Sequence, residues 1–275
     1  MVLDILPILV ATGAVVGFTA ALLGVGGGFI MVPVMYWAMS SAGVPEDIAL
    51  RTAFGTSLLV ILPTVMSSSW RHHKAEAVVW KVSLFLGPLG AVGALVGSTI
   101  ASYVPCGPLK IGFGVFVLLI ALRMGVGIKS QAAADTEPPA PPRSQLVVLG
   151  LVMGVICGMT GLGGGALMVP ALVLLFQFPM RRAVATSSAA IIFTAIGGTI
   201  GYVVNGLEVA GRLPYSIGYV NLAIFAALVV TSVPMAQLGA RAAHSIDASK
   251  LRLLFVVLMV YVGLRMMGVT ALVGL

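Results

Sequence analysis

Four glycines in five positions occur twice in this chain. They stand in Gly24-Val25-Gly26-Gly27-Gly28-Phe29-Ile30-Met31-Val32-Pro33 and in Gly161-Leu162-Gly163-Gly164-Gly165-Ala166-Leu167-Met168-Val169-Pro170. Such a run cannot hold a straight helix, because each glycine costs about 1 kcal/mol relative to alanine. It leaves backbone amides without helical partners, and a short helix restarting after it aims the positive end of its dipole at the same place. The chemistry this suits is anion binding by main-chain N–H groups. Pro33 and Pro170 each follow the last glycine by five residues, and are expected near the first turn of the restarted helix, where a missing N–H costs least. Small residues also permit close helix packing; the recurrence of cluster and proline together favours the anion reading.

Thr56-Ser57 and Thr186-Ser187 are the next candidates, since hydroxyls on the following helices could donate to oxyanion oxygens that the backbone does not reach. The competing role is ordinary, a bond across helices or back to the residue's own helix. The candidate binding set is therefore Gly24, Gly26, Gly27, Gly28, Phe29, Gly161, Gly163, Gly164, Gly165 and Ala166, with Thr56, Ser57, Thr186 and Ser187. The replacement of Phe29 by Ala166 would make the two sides of a cavity unequal. No metal, cofactor or catalytic set is expected. His72 and His73 are adjacent and share no helix face, so Arg71-His72-His73-Lys74 reads as a headgroup-facing loop. Cys157 has Ala20 as its counterpart and reads as a packing residue, with a thiol role as the alternative; Cys106 sits in a Pro-Cys-Gly-Pro turn. Arg51, Arg181 and Arg182 open the helices bearing the Thr-Ser pairs, as topology determinants or as an anion vestibule. Among Asn205, Asn221, Gln177 and Gln237, candidates for interhelical bonds, Gln237 reads as the deepest in an apolar span.

The elements that must position these groups are legible in the composition. The chain has 275 residues, 60% hydrophobic and 8% charged, with mean hydropathy +1.14. A soluble domain carries about 25% charged residues, so a cytosolic enzyme, a nucleic-acid binder and a disordered chain are excluded. At about 20 apolar residues per crossing, the chain is an all-α polytopic membrane protein. Apolar runs lie near 5–23, 29–39, 49–69, 78–103, 109–128, 146–160, 166–178, 183–204, 217–240 and 251–274. The first run lacks a basic n-region and reads as a retained membrane segment. Residues 129–145, with Asp135, Glu137 and a proline run, read as a stiff linker. It separates a first membrane repeat, 1–128, from a second, 146–275.

The two halves repeat. Residues 17–33 align without gaps on 154–170, with eight of seventeen positions identical. Ala53, Thr56 and Ser57 recur as Ala183, Thr186 and Ser187, and a third block around Gly97 and Arg123 recurs around Gly239 and Arg265. The stretch 5–39 would be about 52 Å as continuous helix, against a hydrocarbon core of about 30 Å. If each such stretch is one crossing, the fifteen Lys and Arg residues divide eight to seven between the two sides. If each is a hairpin, they divide eleven to four, as the positive-inside rule requires. Each half is then a broken glycine-rich hairpin plus three transmembrane helices, and the halves form an inverted repeat. The linker is expected in the cytoplasm and both termini outside. The +7 net charge reflects this asymmetry and headgroup contact, not nucleic acid.

The duplicated G-x-G-G-G-x-x-x-V-P hairpin, the A-x-x-T-S block and the order of blocks resemble the TauE/SafE family of sulfite exporters, also called TSUP, over essentially the whole chain. The resemblance implies a bacterial inner-membrane secondary transporter for a small sulfur-containing anion such as sulfite, sulfoacetate or a related sulfonate. The anion would bind between the two hairpins near the midplane, with transport coupled to the proton motive force. It maps the family's hairpins to residues 24–33 and 161–170 and its threonine-serine pairs to Thr56-Ser57 and Thr186-Ser187. An anion channel lined by the same glycines is the alternative. No carboxylate sits mid-span, so coupled protons would travel on the substrate or through an edge acid. Cargo, flux direction and oligomeric state are left open.

Overall fold

The computed structural model describes residues 2–23, 26–126, 141–242 and 248–268. Gly24 and most of the linker lie outside them. The described residues form ten α-helices: α1 Val2–Leu23, α2 Gly28–Ser41, α3 Glu46–Lys74, α4 Trp80–Tyr103, α5 Cys106–Val126, α6 Arg143–Thr160, α7 Gly165–Phe176, α8 Met180–Gly206, α9 Leu222–Ala242 and α10 Ala248–Met266. A two-residue ladder, β1 Ser216–Ile217 against β2 Val220–Asn221, precedes α9.

Each apolar run of the sequence becomes one helix. Among the described residues, six helices are long and apolar enough to cross a membrane. By contrast, α2 and α7 have 14 and 12 residues, about 21 and 18 Å of helix, too short to cross a hydrocarbon core of about 30 Å alone. The boundaries follow local chemistry. Pro45 and Pro179 stand at the N-caps of α3 and α8, Glu46 and Asp47 occupy the first turn of α3 where a carboxylate favours the dipole, and Gly43, at φ 84°, closes α2. Two expectations need correction. Pro33 and Pro170 are the sixth residues of α2 and α7, in the second turn, so each removes a ladder bond just past the tip. The run 217–240 also enters helix only at Leu222, because Asn221 takes the N-cap, its Oδ1 accepting from Ile224 N at 2.9 Å.

Packing exchanges the halves. The glycines Gly13 and Gly17 of α1 lie so close to the carbonyls of Leu228 and Ser232 of α9 that a Cβ would overlap them. In the other half, Gly154 of α6 lies in the same way against the Gly90 carbonyl of α4, and a Cβ on Gly150 would stand tightly against Leu86 and Leu89. Gly239 meets Phe18, and Gly97 meets Val155. These pairs correspond residue for residue, so each half's first helix docks on the other half's fourth. Contact order gives the directions. Gly55 meets Tyr202 and Gly198 meets Leu58, so α3 and α8 run antiparallel. Gly87 meets Phe193 and Gly201 meets Ser98, so α4 and α8 run parallel. Both relations require inverted halves and contradict parallel ones. The same directions bring ten of the eleven basic residues to one end of the bundle, Lys129 lying outside the described residues. At the centre stand α3 and α8, whose apolar windows are 72% and 67% buried, against at most 44% for the other long helices.

Candidate functional site

The glycine runs turn the chain back on itself. Gly26 and Gly27 have φ 84° and 76°, and Gly161, Gly163 and Gly164 have φ 66°, 76° and 93°, a region that side chains rarely enter. Gly27 is the N-cap of α2 and Gly164 that of α7. The Gly27 carbonyl accepts from Ile30 and Met31 at 3.2 and 3.3 Å, and that of Gly164 from Leu167 and Met168 at 3.2 and 3.0 Å. A Cβ at Gly27 would overlap Val16 and crowd Ala20, and one at Gly164 would overlap the Cys157 sulfur. Each tip thus folds onto the helix that leads into it, and Cys157, 1% exposed, backs the second tip where Ala20 backs the first.

The two tips meet backbone to backbone. A Cβ on Gly28 would overlap the Gly161 carbonyl and the Leu162 backbone, and one on Gly26 would stand 3.1 Å from the Leu162 carbonyl. Residues 26–29 and 161–165 are buried. Gly161 rests on Phe54 of α3. Ser57 Oγ donates to the Gly161 carbonyl and also lies 3.0 Å from the Phe54 carbonyl. Thr194 Oγ1 lies 3.4 Å from the Gly163 carbonyl, Ile61 and Ile191 pack on Gly163, and Tyr202 donates to the Gly158 carbonyl at 2.9 Å. Ser57 thus occupies a tip carbonyl, Thr194 Oγ1 lies nearer the Ile191 carbonyl of its own helix at 2.9 Å, and neither uses a tip amide. Among the described residues, no backbone bond uses the N–H of Gly28 or Gly165, the first residues of two half-helices that enter from opposite ends. Two dipole ends and buried, uncharged walls can hold a small oxyanion by main-chain donors.

The other expected residues divide. Phe29 is 1% exposed beside Gly28; the side chain of Ala166 lies outside the description. Thr56 and Thr186 are fully buried and turned to backbone across the halves: Thr56 Oγ1 accepts from Asn221 N at 2.9 Å, and Thr186 Oγ1 from Val79 N at 3.1 Å. They anchor the links that precede α9 and α4. Ser187 donates to the Val184 carbonyl at 3.0 Å. Arg51 caps α4, with Nη2 donating to the Val104 carbonyl at 3.0 Å and Nε to that of Ala101 at 3.3 Å. Arg181 is exposed at the start of α8. Arg71-His72-His73-Lys74 is the last turn of α3 and not a loop; His73 Nδ1 accepts from Trp80 Nε1 at 3.1 Å, and no metal-ligand group occurs among the described residues. Gln237 lies within the apolar span of α9 and is exposed on its surface. Asn205 does bond across helices, to Thr99 at 3.1 Å.

Thr194 escaped notice in the sequence, although a signal existed. It recurs as Thr64 at the offset of 130 that relates Thr56 to Thr186. Thr64 Oγ1 lies 3.1 Å from Ser232 Oγ, so the two copies serve different partners.

Comparison with known proteins agrees with this architecture. The profile of a family described as sulfite exporter TauE/SafE matches residues 9–266. A probable membrane transporter protein of Methanocaldococcus jannaschii is 30% identical, with 96% of each chain covered. Another of Haemophilus influenzae is 29% identical over 92% of this chain and 95% of its own. A third, YunE of Bacillus subtilis, is 30% identical over 72% and 78%. No solved structure matches. A profile spanning nearly all of a polytopic helical chain, together with full-length transporter relatives, leads to one conclusion: this membrane protein belongs to the TauE/SafE sulfite exporter family.

Proposed function

We propose that the chain is a secondary transporter that moves a small sulfur-containing anion, sulfite, sulfoacetate or a related sulfonate, across the inner membrane. The anion binds between the two glycine tips near the bilayer midplane. The observation that carries this reading is the backbone contact of two inverted half-helix N-termini, Gly26–Gly28 against Gly161–Gly163. Irregular backbone at membrane depth persists where it is buried or lines a cavity, and paired broken helices are the usual anion sites of inverted-repeat carriers. Ser57 holds the Gly161 carbonyl away from the anion, Ser187 supports α8, and Thr56 and Thr186 brace the links. The end rich in Lys and Arg faces the cytoplasm, which puts the linker there and both termini outside. Protons driving transport would ride on the substrate.

The test is a binding screen of purified protein against sulfite, thiosulfate, sulfoacetate, taurine and sulfate, followed by flux in proteoliposomes. Uphill flux of the bound anion under a proton gradient supports the carrier; flux that only follows the anion gradient identifies a channel. A valine at Gly164 would clash with Cys157, so the informative variant pairs Gly164→Ala with Cys157→Ala. The pair relieves the overlap and keeps the φ 93° strain, and it should weaken binding while Cys157→Ala alone does not.

A further inference from the structure

Away from the tips, a cleft of about 490 Å³ lies between the last turn of α3 and α9, lined by Ser67, Trp70, Arg71, Lys74, Ala75 and Gln237. Its floor is cationic. Lys74 Nζ stands 5.4 Å over the Trp70 ring, and neither Lys74 nor Arg71 forms an ion pair among the described residues. The buried Oγ of Ser67 has no hydrogen-bond partner among them. The carbonyls that would repel an anion at this helix end are engaged, that of Arg71 by Ala75 N and that of His73 by Glu76 N. One wall is apolar and exposed, the Trp70 ring of α3. Charge at the base beside an uncovered aromatic ring calls for an amphipathic ligand.

We propose that this cleft seats the phosphate headgroup of an anionic membrane lipid, its apolar part lying against the exposed Trp70 ring. A free anion would satisfy Arg71 and Lys74 but leave Trp70 uncovered; a lipid covers both.

Native mass spectrometry of the full chain, purified in detergent and incubated with phosphatidylglycerol or phosphatidylcholine, tests this directly. Wild type should retain phosphatidylglycerol in preference to phosphatidylcholine. In Arg71→Gln/Lys74→Gln, retention should fall by about tenfold or more, two basic contacts being lost, while Arg123→Gln, a base at the same end but outside the cleft, retains it. Should the double variant aggregate, Lys74→Gln alone, at an exposed side chain, decides by a several-fold loss. Unchanged retention in the variants, equal retention of the zwitterionic lipid, or displacement by millimolar inorganic phosphate would each overturn the assignment.

Discussion

Ser57 and Thr56 are neighbours in sequence with opposite tasks. Ser57 ties α3 to the second tip through the Gly161 carbonyl, whereas Thr56 accepts the amide of Asn221. Ser57→Ala leaves a buried carbonyl unpaired at the site. It should destabilise the protein by about 1–3 kcal/mol and, by releasing the tip, reduce transport beyond the loss of folded protein; melting and proteoliposome flux separate the two. Thr56→Val and Thr186→Val should cost a similar about 1–3 kcal/mol by stranding the amides of Asn221 and Val79, yet leave anion affinity per folded molecule unchanged in calorimetry. Equal affinity losses in all three variants would instead put the threonines on the anion. Spacing singled out Ser57 and Thr56 together, since both recur, but nothing in spacing tells which hydroxyl turns toward a tip. That depends on which helix of the other half stands alongside.

The short helices α2 and α7 exist because their glycine caps stop one helix and start another, and each then runs back beside the helix that led to it. The glycine runs, the proline five residues on and the apolar lengths made the broken hairpins legible in sequence. The spacing of Gly13 and Gly17, or of Gly150 and Gly154, betrayed a close-packed face without naming the partner helix. The structure identifies it as the fourth helix of the opposite half. Gly154→Val should therefore fail to fold, because its side chain would occupy the place of the Gly90 carbonyl. Gly107→Ala, at a position with open space around the added carbon, should express and chromatograph as wild type. A monodisperse Gly154→Val protein in size-exclusion chromatography would refute the α4–α6 contact.

At the scale of the whole molecule, the halves are interlocked: α1 lies on α9, α6 on α4, and α3 and α8 cross the centre side by side. Neither repeat can bury its own hairpin, so separately expressed halves should not fold independently but should combine when co-expressed. The inverted directions also predict sidedness. In a background of Cys106→Ala and Cys157→Ala, Asp135→Cys should be shielded from a membrane-impermeant maleimide in intact cells, whereas Arg212→Cys, at the opposite end, should label. The reverse pattern would invert the assigned orientation; labelling of both from outside would refute the odd crossing count.

The sequence by itself determined the bilayer as solvent, the ten apolar segments, the duplication and, through eleven bases against four, the inversion. These rest on composition, on periodic burial and on charge that resists translocation, all local or additive properties of the chain. Only the tertiary structure decided that the glycine tips touch, that Ser57 holds the Gly161 carbonyl, that Thr56 and Thr186 serve the links, and that Gln237 faces outward. A side chain's partner in a helical bundle depends on the rotation and pairing of helices far apart in sequence. Those follow from the close packing of all ten together.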